Sequence, residues 1–493
     1  MTDRIPAAEK RTAPLRIVFE RSPGTDIPEA PRTGDKTQEL EELIKVFLPP
    51  DAFLIETPEN TADLQEGDAL LVPYDPDGNV RKRFLYKALS ELTGESPEWG
   101  IMTGVRPVKK AGELVRACQE QEARRILQET FLLSGKKAQL LTDIYAYQQK
   151  ALGAPAPASV SVYIGIPFCP TRCLYCSFAS NQVKGDEIDR YFEALLKETA
   201  FLGTLMKEKN MFCESLYIGG GTPTTLSAEQ IARLLETART AIPGAGRTED
   251  GKYIYSELTL EGGRPDTLTP EKLAAAKAGG VTRISINPQT MKDETLVRIG
   301  RSHSVAQIRE AFRMAREAGF DDINADLIAG LPGEDEADFA RSLEELLALA
   351  PEGITVHTLA VKRASRLKEE DKDYHYRSGR TTQKMLKTAD RILRESDYRP
   401  YYLYRQKHMS GAGENTGWCR PGKEGLYNVR IMDEHQSILA AGAGAMSKAY
   451  FPEEDRLERA PDLTNYELYI ERLDEMMERK RTLFADIGPF ETD

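Results

Sequence analysis

The sequence has few cysteines and no long apolar run. These two features argue against a disulfide-rich secreted protein and against a membrane-spanning one. Only six of the 493 residues are cysteine, which is a poor fit to the disulfide framework of a secreted scaffold. The N-terminus carries charged residues where a signal peptide would be apolar. No window approaches the roughly 20 consecutive apolar residues of a transmembrane helix. We therefore expect a cytoplasmic protein with no membrane span.

Positive charge is also scarce. Asp and Glu number 78 against 66 Lys and Arg, which gives a formal net charge of −12 and a pI near 5.3. Because clustered Lys and Arg are needed to neutralise a phosphate backbone, we expect no nucleic-acid partner. The length predicts about three domain-sized units. We place them at residues 1–155, 156–365 and 366–493, with Ala-Pro-Ala-Pro at 154–157 as a linker.

The middle of the chain alternates short apolar strands with amphipathic helical stretches, which is the pattern of βα units around a parallel sheet. Six strands are predicted, at residues 162–167, 215–219, 254–261, 282–286, 323–328 and 354–360, and helices at 186–207, 228–240, 305–318 and 336–350. Six units form an incomplete barrel, whose open side leaves room for a bulky substrate. Chemistry is expected at the C-terminal ends of the strands.

Three of the six cysteines, Cys169, Cys173 and Cys176, lie in one short loop directly after the first predicted strand. Three thiols can hold three irons of a four-iron cluster while the fourth iron keeps an open coordination position. A closed zinc site needs four ligands, and no second Cys or His pair follows at suitable spacing. The loop therefore predicts an iron–sulfur cluster. The other three cysteines are scattered, which is typical of buried thiols.

Polar or glycine residues follow the other predicted strands. Gly219-Gly-Gly-Thr-Pro223 follows the second strand, Glu261 ends the third, and residues 287–289 follow the fourth. Glycines without Cβ let a ligand approach the backbone closely, although such a run is often only a tight turn. Glu261 is equally compatible with a solvated strand end. Asp326 stands in an otherwise apolar strand and must face a partner or the barrel interior, since an unpaired buried carboxylate is costly.

The CxxxCxxC loop combined with the GGGTP run resembles the radical S-adenosylmethionine (SAM) enzymes, specifically the oxygen-independent coproporphyrinogen III oxidase group. The N-terminal extension and the phrase from Tyr404 to Asn415 resemble its HemZ-type branch. This resemblance implies an α/β fold, namely an incomplete (β/α)6 barrel with an N-terminal α/β extension and a mainly helical C-terminal domain that covers the substrate.

In that family a [4Fe-4S] cluster and SAM are the cofactors, and a 5′-deoxyadenosyl radical abstracts hydrogen from a propionate side chain. Carbon dioxide then leaves and an electron is surrendered. The resemblance thus implies conversion of two propionates of coproporphyrinogen III to vinyl groups, which gives protoporphyrinogen IX in heme biosynthesis. It also implies an electron donor and an electron acceptor of unidentified nature, and a monomer.

The resemblance also assigns site residues. The cluster is held by Cys169, Cys173 and Cys176, and catalysis is assigned to Tyr163 and Arg301. The implied cofactor-binding residues are Tyr163, Tyr175, Gly220, Gly221, Thr222, Glu261, Gln289, Arg301, Asp326 and Ala360. For Tyr175 and Ala360, core packing is the competing interpretation. Candidates for binding substrate carboxylates, chosen by placement alone, are Arg405, Lys407, Arg420 and Arg430.

Three departures from the family pattern leave alternatives open. Gly165 stands where many members have His, and Phe178 stands where established dehydrogenases have a fourth Cys and heme chaperones share Phe. The chaperones' His-Asn motif has its nearest counterpart in Tyr427-Asn-Val-Arg-Ile-Met432, which lacks the His. A decarboxylating dehydrogenase is favoured. The alternatives are a heme-binding chaperone of the same fold and another radical modification of a tetrapyrrole.

Overall fold

The computed structural model describes residues 14–19, 36–56, 69–176, 181–182, 185–362, 365–371 and 373–490. Within the first 152 residues, a three-stranded parallel sheet with the order β2-β1-β3 packs its apolar residues against two helices. Three further helices pack around Trp99 and also contact Leu403, far along the chain. The elements are β1 (Leu15–Phe19), α1 (Lys36–Phe47), β2 (Phe53–Glu56), β3 (Ala69–Val72), α2 (Gly78–Thr93), α3 (Pro107–Ala117), α4 (Glu120–Glu129) and α5 (Gly135–Ala151).

The middle of the chain forms the predicted incomplete barrel. Six strands, β4, β5, β8, β9, β10 and β11, lie side by side in chain order and are all parallel. The elements are β4 (Ser159–Ile166), α6 (Asp186–Glu208), β5 (Phe212–Gly220), α7 (Ala228–Ala241), β6 (Gly246–Arg247), β7 (Tyr253–Ile254), β8 (Glu257–Gly263), α8 (Pro270–Ala278), β9 (Arg283–Ile286), α9 (Asp293–Arg298), α10 (Val305–Glu317), β10 (Ile323–Ala329), α11 (Glu336–Ala348) and β11 (Gly353–Thr358). The six-unit α/β fold is confirmed.

Local sequence explains where the barrel elements begin and end. Helices α7, α10 and α11 each start with a reciprocal capping box, for example Ser227 with Gln230, which satisfies otherwise unpaired backbone N–H groups. Strand β9 is buried along its whole length, as expected of a strand covered on both faces. One predicted boundary was wrong: Ile254 belongs to a short hairpin with Gly246, and the third barrel strand begins only at Glu257.

The C-terminal segment extends the barrel sheet at both edges. Strand β13 pairs antiparallel with β11, and β14 pairs parallel with β4, so the complete sheet has eleven strands. Helices hold more residues of this segment than strands do, and its five strands make it continuous with the barrel sheet. The elements are α12 (Arg366–Glu370), α13 (Tyr374–Arg377), α14 (Gly379–Glu395), β12 (Arg399–Tyr404), β13 (Asn415–Cys419), α15 (Leu426–Asp433), β14 (Ile438–Ala441), β15 (Met446–Phe451), β16 (Arg456–Pro461), α16 (Tyr466–Glu471) and α17 (Leu473–Leu483).

The domain boundaries proposed from the sequence stay predictions. No helix in the described part of the chain has both the length and the apolar character needed to cross a bilayer.

Candidate functional site

The C-terminal ends of the six barrel strands enclose a cavity of about 320 Å³, here called the strand-end cavity. Every barrel strand, or the loop that follows it, contributes to its wall, and the C-terminal segment closes it. The lining residues are Cys169, Thr171, Cys173, Tyr175, Cys176, Gly220, Gly221, Thr222, Glu261, Gly263, Arg264, Asn287, Gln289, Arg301, Asp326, Ile328, His357, Thr358, Leu359, Ala360, Lys362, Tyr404, Gln406 and Asn415. Every site residue implied by the family resemblance is in this set except Tyr163.

The glycine run lies directly against the cysteine loop. The N–H of Gly221 donates to the carbonyl of Ile166 at 2.7 Å, and the N–H of Thr222 donates to that of Phe168 at 2.8 Å. A Cβ on Gly221 would lie 2.6 Å from the Phe168 carbonyl oxygen and 2.9 Å from Cys169 Sγ. Only glycine therefore allows this approach. Gly220 adopts φ +119°, a conformation that also favours glycine.

The far side of the cysteine loop is held by the segment after α9. The N–H of Leu174 donates to the carbonyl of Ile299 at 2.9 Å, and Thr171 Oγ1 donates to that of Gly300 at 3.1 Å. Arg264 Nη1 donates to Thr171 Oγ1 at 2.6 Å. The three thiols thereby share one cavity wall. Among the described residues, no three His, Cys, Asp or Glu side chains are arranged to hold a single metal ion.

Burial sets the electrostatics of the cysteine loop. It raises the pKa of the Cys169 thiol, a hydrogen bond from Thr222 Oγ1 at 3.5 Å opposes the rise, and the neighbouring thiols reinforce it. Metal binding requires thiolates. A cationic cluster core placed among three such thiols would compensate the charge that burial otherwise disfavours.

Two carboxylates, Glu261 and Asp326, line the cavity and repel each other electrostatically. Glu261 accepts hydrogen bonds from Tyr217 Oη and, at 3.3 Å, from the Gly220 N–H. Burial raises the pKa of Glu261 to about 7, with a further contribution from Asp326, while Tyr217, Gly220 and His357 act in the opposite direction. Glu261 can therefore exchange a proton near neutral pH, or pair with a cationic ligand group.

Asp326 is fixed by neighbours on its own strand β10, on β11 and in the loop after β9. Its Oδ1 accepts from Asn324 Nδ2 at 2.9 Å, and its Oδ2 lies 3.5 Å from His357 Nε2. Its backbone carbonyl accepts from the Gln289 N–H at 2.9 Å. Gln289 itself has φ +71°, an uncommon backbone conformation for a residue other than glycine that is concentrated at functional sites.

Arg301 brings a positive charge to the cavity wall. Its Nη2 donates to the hydroxyl of Tyr175 at 3.1 Å, whereas its Nε is buried with no hydrogen-bond partner. A buried donor without a partner is costly. This arrangement suits an anionic ligand group such as a carboxylate, which would satisfy both the charge and the orphan donor.

Tyr163 lies on β4, before the strand ends. Its ring lies beside a stacked pair of tyrosines: the centroids of Tyr217 and Tyr427 are 4.6 Å apart, and that of Tyr163 is 6.3 Å from Tyr217 and 6.2 Å from Tyr427. Burial, reinforced by the charge of Glu261, raises the pKa of Tyr163. The structure thus places Tyr163 in a tyrosine stack beside the cavity and not in its wall.

Sequence reasoning missed several cavity residues, chiefly His357 on β11 and Tyr404, Gln406 and Asn415 in the C-terminal segment. Tyr404 Oη lies 3.5 Å from His357 Nδ1. His357 could have been identified from the sequence, because it is the ionisable side chain in a strand of otherwise apolar and Thr residues. The others could not, because their position depends on β12 and β13 joining the barrel edge. Phe178 lies outside the described residues.

Two of the four side chains proposed to bind substrate carboxylates instead bond to other groups of the protein. Arg405 is buried and donates to the carbonyls of Gly413, Met102 and Ala412. Arg430 is buried and makes a two-pronged ion pair with Glu214, both bonds 3.0 Å long. Both were wrong as substrate ligands, since their donors are already used.

The last two candidates remain on the surface. Arg420 is exposed, and its guanidinium lies over the Tyr398 ring at 5.2 Å. Lys407 is exposed and lines a second cleft.

The cavity residues fit the predicted cofactors. Three thiols on one wall supply three soft ligands for an iron–sulfur cluster, one fewer than its irons. The glycine run leaves room for a ligand where a Cβ would clash. Glu261 and Arg301 offer opposite charges at separate places in the same cavity, which suits the ammonium and carboxylate of an amino-acid moiety.

Comparisons with known proteins agree with this geometry. Residues 163–346 match the model of the radical SAM superfamily. The oxygen-independent coproporphyrinogen-III oxidase-like protein HemZ of Bacillus subtilis (strain 168) is 40% identical over 365 residues, which cover 73% of this chain and 72% of that protein. The heme chaperone HemW of the same organism is 36% identical over 202 residues, which cover 41% of this chain and 51% of HemW.

A solved structure resembles the fold as well. Coproporphyrinogen III oxidase (HemN) from Escherichia coli, described as a radical SAM enzyme, superposes with a TM-score of 0.51 at 23% identity, covering 67% of this chain and 73% of HemN. At that identity the likeness concerns the fold alone.

Proposed function

Since the chain belongs to the oxygen-independent coproporphyrinogen III oxidase-like family of radical SAM proteins, we propose that it decarboxylates two propionates of coproporphyrinogen III oxidatively, giving protoporphyrinogen IX. Proteins of this family use a [4Fe-4S] cluster and SAM. One observation carries the proposal: three loop thiols, a glycine run and oppositely charged side chains line a single small cavity at the strand ends.

The chain's own residues would hold the two cofactors in this cavity. When bound, the cluster and SAM supply the electron and the organic radical that remove a hydrogen atom from substrate. Cys169, Cys173 and Cys176 would hold the cluster. The Gly220–Thr222 run and Glu261 would contact the amino-acid and ribose parts of SAM, and Arg301 would pair with a carboxylate.

Enclosure is the second contribution of the protein. Tyr175 and Arg301 close one side of the cavity, and the C-terminal Tyr404 and Asn415 close another. Asn415 Oδ1 is fixed by the Thr358 N–H at 2.8 Å. Walls on these sides would limit the access of water and competing hydrogen donors to a reactive radical, so that hydrogen is taken from the substrate and not from solvent.

The region that corresponds to the chaperones' heme-binding motif supports the enzyme over a carrier. Tyr427 and Val429 are buried, and the N–H of Leu426 donates to Glu257 at 2.6 Å. Asn428 Nδ2 lies 3.4 Å from Tyr401 Oη. This helix, α15, has no histidine, and its Tyr427 ring is stacked against Tyr163 and Tyr217, so the histidine of the chaperones' motif has no counterpart in it.

The deciding experiment is an anaerobic assay of reconstituted protein with coproporphyrinogen III, SAM and a reductant, followed by mass spectrometry. We expect a product lighter by two carbon dioxide units and four hydrogen atoms, since each propionate that becomes a vinyl group loses carbon dioxide and two hydrogens, together with formation of 5′-deoxyadenosine. Unchanged substrate together with tight, stoichiometric heme uptake would select the carrier instead. A tetrapyrrole product with a different mass change would indicate another radical modification.

A further inference from the structure

A second and larger opening adjoins the strand-end cavity. It has a volume of about 640 Å³ and lies between α1 and residues 95–103 on one side and α14 and residues 405–412 on the other; we call it the basic cleft. Gln406 lines both the basic cleft and the strand-end cavity. The two spaces are therefore neighbours that share this residue in their walls, and one side of the basic cleft belongs to the N-terminal segment.

The volumes of the two spaces suit different ligands, namely the cofactors in the strand-end cavity and the larger tetrapyrrole in the basic cleft. Ligand pockets commonly measure about 300–1,000 Å³, so the 320 Å³ strand-end cavity is at the small end of the range. It is lined by the thiols and the cofactor-type residues. If these hold cluster and SAM, the bulk of a tetrapyrrole needs the adjoining space.

The charges in the basic cleft are unbalanced in favour of cations, although the chain as a whole is acidic. The three carboxylates are each paired: Glu42 with Lys45 at 3.4 Å, Glu95 with Arg380 at 2.7 Å and Glu98 with Lys387 at 3.4 Å.

Two lysines of the cleft have no such partner. Lys384 and Lys407 are both exposed and make no ion pair with any described residue. Lys384 stands one helical turn from Arg380 and from Lys387 on α14, so the three form one cationic row. This row and Lys407 give the cleft a positive surface that suits carboxylates.

Aromatic and imidazole groups form other parts of the wall. Trp99 is buried and is held in place by a 2.9 Å hydrogen bond from its Nε1 to Glu414. His375 is 5% exposed, and its Nδ1 is buried without a hydrogen-bond partner. Burial, with help from Lys368 and His408, lowers the pKa of His375 to about 4. A neutral ring with an unused nitrogen is suited to a hydrogen bond with a ligand.

We propose that the basic cleft receives the tetrapyrrole substrate, with outer propionates on Lys384 and Lys407 and the reacting propionate directed past Gln406 into the strand-end cavity. This inference rests on the proposed function for the identity of the substrate. It gives the N-terminal segment a role, since that segment supplies one side of the cleft.

The test compares charge reversal with charge retention in the full chain. Lys384→Glu/Lys407→Glu is expected to raise the Kd for coproporphyrin III, measured by fluorescence titration, at least tenfold, and to raise KM far more than it changes kcat. Lys384→Arg/Lys407→Arg is expected to stay within twofold of wild type. The control, Lys150→Glu/Lys197→Glu, makes the same change of net charge at exposed positions on α5 and α6, away from the cleft.

The outcomes separate this inference from the proposed function. Equal Kd values for the charge-reversed variant and the control would overturn the inference, even if wild type makes protoporphyrinogen IX. If wild type fails to decarboxylate coproporphyrinogen III, the proposed function fails, yet a selective loss of coproporphyrin binding in the charge-reversed variant would still support a carboxylate-binding cleft.

Discussion

The strand-end cavity and the basic cleft are neighbours, but the chain builds them differently. The strand-end cavity is made of short motifs placed one after another at the ends of parallel strands, such as Cys169–Cys176 and Gly219–Thr222. The basic cleft joins α1 and residues 95–103 to α14 and residues 405–412, nearly 300 residues later. Under the two proposals above, cofactor binding depends on local motifs, whereas substrate binding depends on how the N-terminal and C-terminal segments pack together.

The largest loss of activity is expected from replacing a cluster ligand, because this change should affect the strand-end cavity and leave the basic cleft intact. Cys173→Ala removes one of three thiols, so anaerobically reconstituted protein should lose its cluster absorbance and all reductive cleavage of SAM. Coproporphyrin III titration should still give the wild-type Kd, because the basic cleft is built elsewhere.

Cys118→Ala provides the matched control. Cys118 is half-buried at the C-terminal end of α3 and does not line the strand-end cavity. It should retain iron and SAM cleavage. A Cys173→Ala protein that still cleaves SAM would refute the ligand assignment.

A smaller loss is expected from Gly221→Ala. The new methyl group would lie 2.6 Å from the Phe168 carbonyl and 2.9 Å from Cys169 Sγ, so the glycine run or the cysteine loop must shift. We expect SAM cleavage to fall at least tenfold and iron content to drop. Gly246→Ala, where a Cβ meets nothing within 4 Å, should behave as wild type. Equal activity of the two variants would show that the close approach has no functional role.

The smallest of the three effects concerns the pH dependence of SAM binding. The pKa of Glu261 is raised to about 7 by burial and by Asp326, so its ionised fraction grows from about one tenth near pH 6 to about nine tenths near pH 8. A ligand ammonium or hydroxyl prefers the carboxylate, and affinity should therefore rise about tenfold across this range.

Glu261→Gln keeps the size of the side chain but removes the titrating carboxyl. Its affinity for SAM, measured by equilibrium binding to the reconstituted protein, should be low and nearly independent of pH. A wild-type profile that is flat between about pH 6 and 8, or a variant profile that keeps the slope, would contradict the role of Glu261.

Much of the barrel could be predicted from sequence because its signals are local. All six strands were located within a few residues, since each is a short apolar run bounded by turn residues and followed by an amphipathic helix. The third strand was misplaced at its start because Ile254 was taken as its first residue, and in the structure Ile254 does belong to a strand, but to one of a separate hairpin.

The edges of the sheet could not be predicted in the same way. Strands β12 and β13 read as Tyr-rich and Gly-rich segments, and their pairing is specified by packing across the chain. A Cβ on Gly417 would clash with the Tyr402 ring, so only glycine at this position allows β13 to pack against β12. Such a contact has no counterpart in local periodicity.

The site residues divide in the same way, into those that local sequence predicts and those that depend on packing between distant segments. Motif residues at strand ends, such as Glu261 and Asp326, were found because parallel strands bring their C-terminal ends to one edge. Asn415 and Gln406 were missed because they reach the cavity only through the docking of the C-terminal segment. Arg405 was misread because sequence does not reveal that backbone carbonyls occupy its guanidinium.

The most direct test of the account is electron paramagnetic resonance of the reduced, oxygen-free protein before and after addition of SAM, together with metal analysis. One four-iron cluster per chain, with a signal that changes when SAM is added, is predicted, because three thiols leave one iron for the cofactor. Zinc in place of iron, or a cluster signal that SAM leaves unchanged, would contradict it.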